Sequence, residues 1–216
     1  TLSDRPGMDS QKTNAYGIKV FHQFDGFKFQ SFTSVTNTDV VLSYDADWGN
    51  SDSHMPYIYD YFSETLRNRD TFSQELRFVS DSADFSSQNM TEWVVGLSFL
   101  DIKEENLKKD EGIYGDPSDP DSPYVSQSSS SSKFSSDNIS IYANIDYLLN
   151  ESTKISFGAR WEDYESKYSD SFNENFNPSD RMSGGKISLS KNINEQTNIF
   201  FNLAKGFNQG GFNLNL

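Results

Sequence analysis

Glu75 with Arg77, Asp146, and Arg160 with Glu162 are the residues with the most chemistry to offer, because each lies at an alternate position in a stretch that otherwise alternates polar and apolar residues. Side chains two apart on a strand share a face, so each charged pair could form an ion pair or hold a polar ligand. Tyr142 and Asn144 share the parity of Asp146 and join the set. Catalysis is not what this set suggests. The chain has no Gly-x-Ser-x-Gly, no His-Glu-x-x-His and no phosphate-binding Gly-Lys loop, so neither enzyme activity nor a cofactor is expected.

Other candidate chemistry has a plainer reading. His22 and His54 are the only histidines and lie in different segments, so a two-histidine metal centre would need distant loops to meet. Asp116, Asp119 and Asp121 bring carboxylates together without the spacing and glycine of an EF-hand loop, and no metal is expected there. Gly206, Gly210 and Gly211 follow a strand with no helix behind it, so they read as bends or close-packing positions rather than a phosphate cradle.

Stretches of alternating polarity must position these residues. The clearest runs from Asp137 to Asp163. Ile139, Ile141, Ala143, Ile145 and Tyr147 form one face of its first arm, and Ile155, Phe157, Ala159 and Trp161 one face of its second. Pairing Leu148 with Lys154 across the turn Leu149 to Thr153 sets Ile145 opposite Phe157 and Ile141 opposite Trp161, so both apolar sets fall on one side. Each arm is long enough for a bilayer-spanning strand of roughly 9–11 residues.

Composition agrees with that reading. Only 34% of the 216 residues are hydrophobic, yet 15% are aromatic, with 18 Phe, 11 Tyr and 3 Trp; the mean hydropathy is −0.70. A disordered chain would be poor in aromatics and a soluble core richer in Leu, Val and Ile. Transmembrane barrels combine these traits, because half of each strand faces water and aromatic girdles mark the two interfaces. A net charge of −14 excludes nucleic acid as a partner. Disulfides and thiolate metal sites are excluded by the absence of cysteine. No apolar run approaches the length of a membrane helix, and the first residues lack a signal pattern.

Along the chain, Thr1 to Asn14 reads as loop, and strands follow at Tyr16 to Val20 and Phe27 to Tyr44, joined through Asp25-Gly26. Further strands are expected at Thr71 to Ser80, Glu92 to Lys103, the two arms of the central hairpin, Met182 to Lys191 and Asn198 to Gly206. Asp45 to Arg69, Glu104 to Ser136 and Tyr164 to Asp180 read as long polar loops, the second containing the run Ser128 to Ser132. The fold class is therefore all-β: about eight antiparallel strands whose connections alternate short and long. Outer-membrane barrels have short periplasmic turns and long external loops, which assigns Asp25-Gly26, Asp81 to Thr91, Leu149 to Thr153 and Asn192 to Thr197 to the periplasmic rim.

Parity divides the candidates into two groups. Glu75, Arg77, Tyr142, Asn144, Asp146, Arg160 and Glu162 face the lumen, whereas Trp93, Phe99, Tyr147 and Trp161 lie on the lipid face near its rims, as girdle aromatics do.

FSQELRFVS followed by EWVVGLSFLD, then ISIYANIDYLLNESTKISFGARWED, then MSGGKISLSKNINEQTNIFFNLAKGFNQGGFN, resembles the barrel of TonB-dependent outer-membrane receptors, from roughly Tyr16 to Asn213. Asp45 to Trp48, Lys205-Gly206-Phe207 and Gly210-Gly211-Phe212-Asn213 add to the likeness. The resemblance implies residues 1–216 as part of a single 22-stranded barrel domain in a Gram-negative outer membrane, with a plugged lumen. It also implies import of a scarce ligand, a ferric siderophore foremost, with energy delivered by TonB. The implied partners are lipid and lipopolysaccharide, the receptor's own plug, TonB and the ligand. No plug, signal peptide, TonB box or closing strand is recognisable in the sequence. In a plugged barrel the lumen charges are expected to bind the plug more than the ligand. The alternative is a small eight-stranded structural or adhesive barrel that closes on itself.

Overall fold

The long strands pair antiparallel, each with the next long strand, in the computed structural model, which describes residues 3–81 and 91–210. The strands are β1 (Met8–Gln23), β2 (Phe27–Asp45), β3 (Ile58–Ser80), β4 (Thr91–Gly115), β5 (Tyr124–Asn150), β6 (Thr153–Asp170), the two-residue β7 (Asn175–Phe176), β8 (Ser179–Asn194) and β9 (Thr197–Lys205). The sheet order is β1-β2-β3-β4-β5-β6-β8-β9, with β7 attached to β6. β1 and β9 are its two edges and do not pair with each other, so these strands do not close into an eight-stranded barrel.

The central hairpin has the register that its pattern demands: Leu148 faces Lys154, Ile145 faces Phe157 and Ile141 faces Trp161. Its tip carries a device that the alternation does not signal. Asn150 pairs with Thr153 across Glu151 and Ser152, the register slips at Leu149, and Asn150 Oδ1 accepts hydrogen bonds from Ser152 N (3.0 Å) and Oγ (2.9 Å). The next turn on this rim repeats it. Asn194 pairs with Thr197, the register slips at Ile193, and Asn194 Oδ1 accepts from Gln196 N (3.0 Å). Both read Asn-Glu-x-Thr, an Asx-turn signature followed by a strand. At the first turn Gln23 faces Lys28, Phe24 N donates to Phe27 O (2.9 Å) and Gly26 takes a φ of +83°, a conformation that glycine adopts without a steric penalty. The connection between Asp81 and Thr91 lies outside the described residues.

Three of the expected loops are largely strand. Only residues 46–57, 116–123 and 171–178 separate the long strands at this end, and β7 occupies part of the last. β4 and β5 run 25 and 27 residues with an unbroken register from Thr91↔Tyr147 to Tyr114↔Tyr124, which takes in the serine run. The alternation vanished there because both faces are polar, and the ladder continues on cross-strand pairs instead. Ser63 donates to Asp110 (2.6 Å), Lys133 pairs with Glu105 (2.8 Å) and Lys109 with Glu64 (3.6 Å). β1 likewise begins at Met8, inside the expected N-terminal loop, paired with the far half of β2 from Thr36 to Ser43.

The two faces are opposite in character. One carries Phe72, Leu76 and Phe78 of β3; Trp93, Val95, Leu97 and Phe99 of β4; Ile139, Ile141, Ala143, Ile145 and Tyr147 of β5; then Ile155, Phe157, Ala159 and Trp161 of β6, in register. Ile187, Leu189, Phe201 and Leu203 continue it on β8 and β9. Its upper boundary slopes. Phe72, above which Asp70 and Asn68 interrupt this face of β3, shares a row with Asp137 through Asp101, whereas Leu203, the last apolar residue on β9, shares a row with Ile145 through Ile187 and Phe157. From residue 137 to 145 the boundary slips eight residues over five strand steps, about 27 Å against about 24 Å of width at normal strand spacing. A flat boundary crossed by strands tilted about 45° has that slope, close to the tilt of membrane barrels.

Candidate functional site

The other face is polar, and it is the buried one. Among the described residues the buried hydrophobic side chains are Tyr168 and Met182 alone, whereas Ser140, Glu162, Asn138, Asn106, Ser132, Ser136 and Ser63 are all buried; Ile141, Phe157 and Leu203 on the apolar face are 51%, 48% and 64% exposed. Folding from water would give the reverse. Buried polar groups persist only when hydrogen-bonded, and here they bond chiefly to one another.

The seven polar candidates all lie on this face. Register sets Arg77 opposite Gly96 and Gly96 opposite Tyr142, so the Tyr142 ring crosses β4 above Gly96 and its hydroxyl donates to Glu75 Oε1 (2.5 Å). A Cβ on Gly96 would fall inside the Tyr142 ring. Arg77 pairs with Glu75 (2.7 Å), and its guanidinium lies 5.1 Å from the Phe32 ring centroid. Arg160 pairs with Glu162 (2.7 Å), whose carboxylate also accepts from Asn138 (2.6 Å) and from Gln209 (2.7 Å) beyond the end of β9. Lower on the face Asp146 accepts from Asn144 (3.1 Å) and pairs with Lys154 (3.2 Å). Arg77 Nε and Asn144 Oδ1 are buried and have no partner among the described residues.

The aromatic candidates Trp93, Phe99, Tyr147 and Trp161 are on the apolar face, towards its ends. Phe27 and Phe78 stand near Trp93 at the turn end, with centroids 6.4 Å (Phe27–Trp93) and 6.1 Å (Phe27–Phe78) apart, and Phe72 lies 6.0 Å from Phe99 at the other.

Sequence reasoning did not single out Gly96 or two clusters on the outer part of the polar face. In the first, Glu104 takes Arg69 and Arg67 and accepts from Asn106 (3.0 Å), with Arg67 also donating to Asn106 (2.9 Å). Burial opposes the Glu104 charge, but the bonds from Asn106 and Arg69 prevail and hold its carboxyl below the ordinary 4.5. In the second, Tyr59, Tyr114 and Tyr124 form one row across β3, β4 and β5. The periodicity that identifies an apolar face carries no signal for either.

The remaining candidates are accounted for locally. His22 packs edge-on against Phe24 (4.4 Å), and His54 stands 4.0 Å from Asp47 and 5.1 Å from the Tyr59 ring, so the histidines do not meet. The carboxylates of the acidic loop hold its turns: Asp116 Oδ1 accepts from Ser118 N (2.8 Å), and Asp119 from Asp121 N (3.0 Å) and from the Tyr124 hydroxyl (2.7 Å). Gly206 and Gly210 have open space where a Cβ would be, so close packing is not their role; the Phe207 ring lies instead against Gly184. Gly211 and Phe212 to Asn213 lie outside the described residues.

Residues 3–216 match the family model for the TonB dependent receptor-like β-barrel. No curated protein matches significantly. Solved structures share the fold. The ferric yersiniabactin uptake receptor FyuA from Yersinia pestis is 14% identical over 89% of this chain and 27% of its own, with a TM-score of 0.60. The siderophore receptor PiuA from Acinetobacter baumannii is 12% identical over 92% and 32%, with 0.64. The copper transporter OprC is 14% identical over 94% and 31%, with 0.61. The chain thus spans about a third or less of the length of these structures.

Proposed function

Because this chain belongs to the TonB-dependent receptor β-barrel family, whose members are transport receptors of the Gram-negative outer membrane, we propose that it forms part of the barrel of an importer. The whole receptor would capture a scarce extracellular ligand and carry it inward with energy supplied through TonB. The observation that carries this reading is the inversion of the two faces: apolar rows exposed, ion pairs and serines buried. Such a sheet is stable with hydrocarbon outside and a polar lumen inside.

Within this reading Trp93, Phe99, Tyr147 and Trp161 sit in the girdles, and Glu75, Arg77, Tyr142, Asn144, Asp146, Arg160 and Glu162 line the lumen. Most of these lumen charges already have partners in the sheet, which suits a wall braced against a plug. The buried Arg77 Nε and Asn144 Oδ1 are the atoms left for the plug or for lumen water to satisfy. The ligand follows less directly, since the similar structures include receptors for ferric yersiniabactin and ferric citrate and a copper transporter. A ferric chelate is the first to test. The experiment is uptake of a labelled ferric siderophore panel by cells expressing the full-length receptor, with and without TonB. Uptake that needs both the receptor and TonB is expected; cells that take up every panel member equally without either would overturn the reading.

A further inference from the structure

We propose that the outer tip of the polar face is a binding platform for a neutral carbohydrate, formed by Tyr59, Tyr114 and Tyr124 with Tyr61 and Trp48. This rests on the importer reading, which places the tip outside the cell.

Three observations carry it. The register sets Tyr59 opposite Tyr114 and Tyr114 opposite Tyr124, on the parity of the polar face, at the outer end of three neighbouring strands, with only Ile58 opposite Gly115 beyond. Tyr61 lies over Gly112, where a Cβ would enter its ring, and its centroid is 4.7 Å from that of Tyr59. Tyr59 and Tyr114 stand edge to face at 6.4 Å, and Tyr59, Tyr114 and Tyr124 remain 42%, 36% and 48% exposed, so their ring faces are not covered.

The loop beside them is built to present another ring. Trp48 is 77% exposed, 6.4 Å from the Tyr44 centroid, and holds a φ of +59° that a non-glycine residue seldom adopts. Asp47, its own side chain buried, secures that conformation by accepting from Gly49 N (2.8 Å) and Tyr61 N (2.7 Å). A strained backbone that ends in an exposed indole points to a ligand surface.

The charges then choose the ligand. On the outer polar face Arg67 and Arg69 are committed to Glu104 and Lys108 to Asp110, and Arg5 lies on the opposite face with Asp60 and Glu111. What borders the tyrosines instead is the carboxylate of Asp119, bonded to Tyr124, in a loop that also holds Asp116 and Asp121. An anionic ferric catecholate or a phosphate needs unpaired guanidinium groups and would meet acid here. A pyranose ring suits the surface. Its C–H face lies on an aromatic ring, and its hydroxyls donate to carboxylate and phenol oxygens.

The test uses the full-length receptor in detergent, with binding read by tryptophan fluorescence and by calorimetry. The probes are neutral oligosaccharides of glucose, xylose and mannose, a ferric tris-catecholate and inorganic phosphate. Saccharide binding is expected, weakened at least tenfold by Trp48→Ala and by Tyr114→Ala and by less than threefold in Tyr114→Phe, with the heat-modifiable mobility of the folded barrel unchanged. If Tyr114→Ala does not fold, Trp48→Ala on the loop decides. Absence of saccharide binding, or binding indifferent to these changes, overturns the proposal. So does a ferric chelate whose affinity falls with the same substitutions. TonB-dependent uptake of a chelate that both variants leave intact, with no saccharide bound, would sink the carbohydrate platform and leave the importer standing; absence of any TonB-dependent uptake would sink the importer.

Discussion

Replacing Gly96 by alanine puts a methyl group where the Tyr142 ring now lies. The ring cannot sink into β4, so it must lift, and its hydroxyl then leaves Glu75. Overpacking of this kind costs about 1–3 kcal/mol in addition to the lost hydrogen bond, whereas Tyr142→Phe keeps the ring in place and loses only that bond to a charged group, about 1.5–3 kcal/mol at most. The expected order of stability is wild type, then Tyr142→Phe, then Gly96→Ala, with Gly96→Ala combined with Tyr142→Ala recovering part of the loss. Urea unfolding of the refolded full-length receptor in bilayers checks it; a Gly96→Ala protein as stable as wild type would contradict the packing argument. Parity made Tyr142, Glu75 and Arg77 legible as members of one face. It could not show that they meet, because that depends on which glycine register places beneath the ring.

The strands owe their length to different forces along their course. Within the apolar rows alternation announces them, and the hairpin register from Ile139 to Trp161 follows from keeping both apolar sets on one side. Above Phe99 and Ile139 each face meets water, the hydrophobic signal is gone, and β4 and β5 continue through serines, lysines and carboxylates. That is why Glu104 to Ser136 looks like loop in the sequence and is ladder in the fold. Ion pairs in the extension make it pH-sensitive. The Glu104 carboxyl is held below its ordinary value of 4.5, with burial opposing and Asn106 and Arg69 prevailing. A lowered carboxylate contributes stability that is fully present above the unfolded value and lost as pH falls through the folded one. Acidification below pH 4.5 should therefore loosen β3 and β4 around Arg67, Arg69 and Asn106, while the membrane portion stays folded. Protection factors from hydrogen exchange at residues 67–69 and 104–106 should fall in that window, and Glu104→Gln should be less protected at neutral pH and nearly flat across it. Equal pH dependence in the variant would exclude Glu104 as the cause.

On the scale of the sheet, depth and hydrogen-bond row are different coordinates. Because the apolar boundary slips eight residues from β3 to β9, residues in one row sit at different depths when the strands are tilted. Trp93, Ile145, Phe157 and Ile187 share a row. Trp93 is the last apolar residue of β4 at the turn end, whereas Phe157 has Ile155 below it and Ala159 and Trp161 above. With hydrocarbon against this face, a lysine at Phe157 is near the midplane and costs about 2–4 kcal/mol, while one at Trp93 is near the interface and costs about 0–1 kcal/mol, beyond the similar loss of an aromatic ring. Phe157→Lys should then lower the folded fraction in outer membranes and the unfolding free energy in bilayers far more than Trp93→Lys. A lysine at Asn202, on the polar face, should be tolerated like Trp93→Lys, because that face meets water. Water on the apolar face would erase the difference between the two aromatic sites, and strands running parallel to the membrane normal would make Trp93 and Phe157 equal in depth. Only a tilted sheet with lipid on its exposed apolar face separates the two lysines and spares the third.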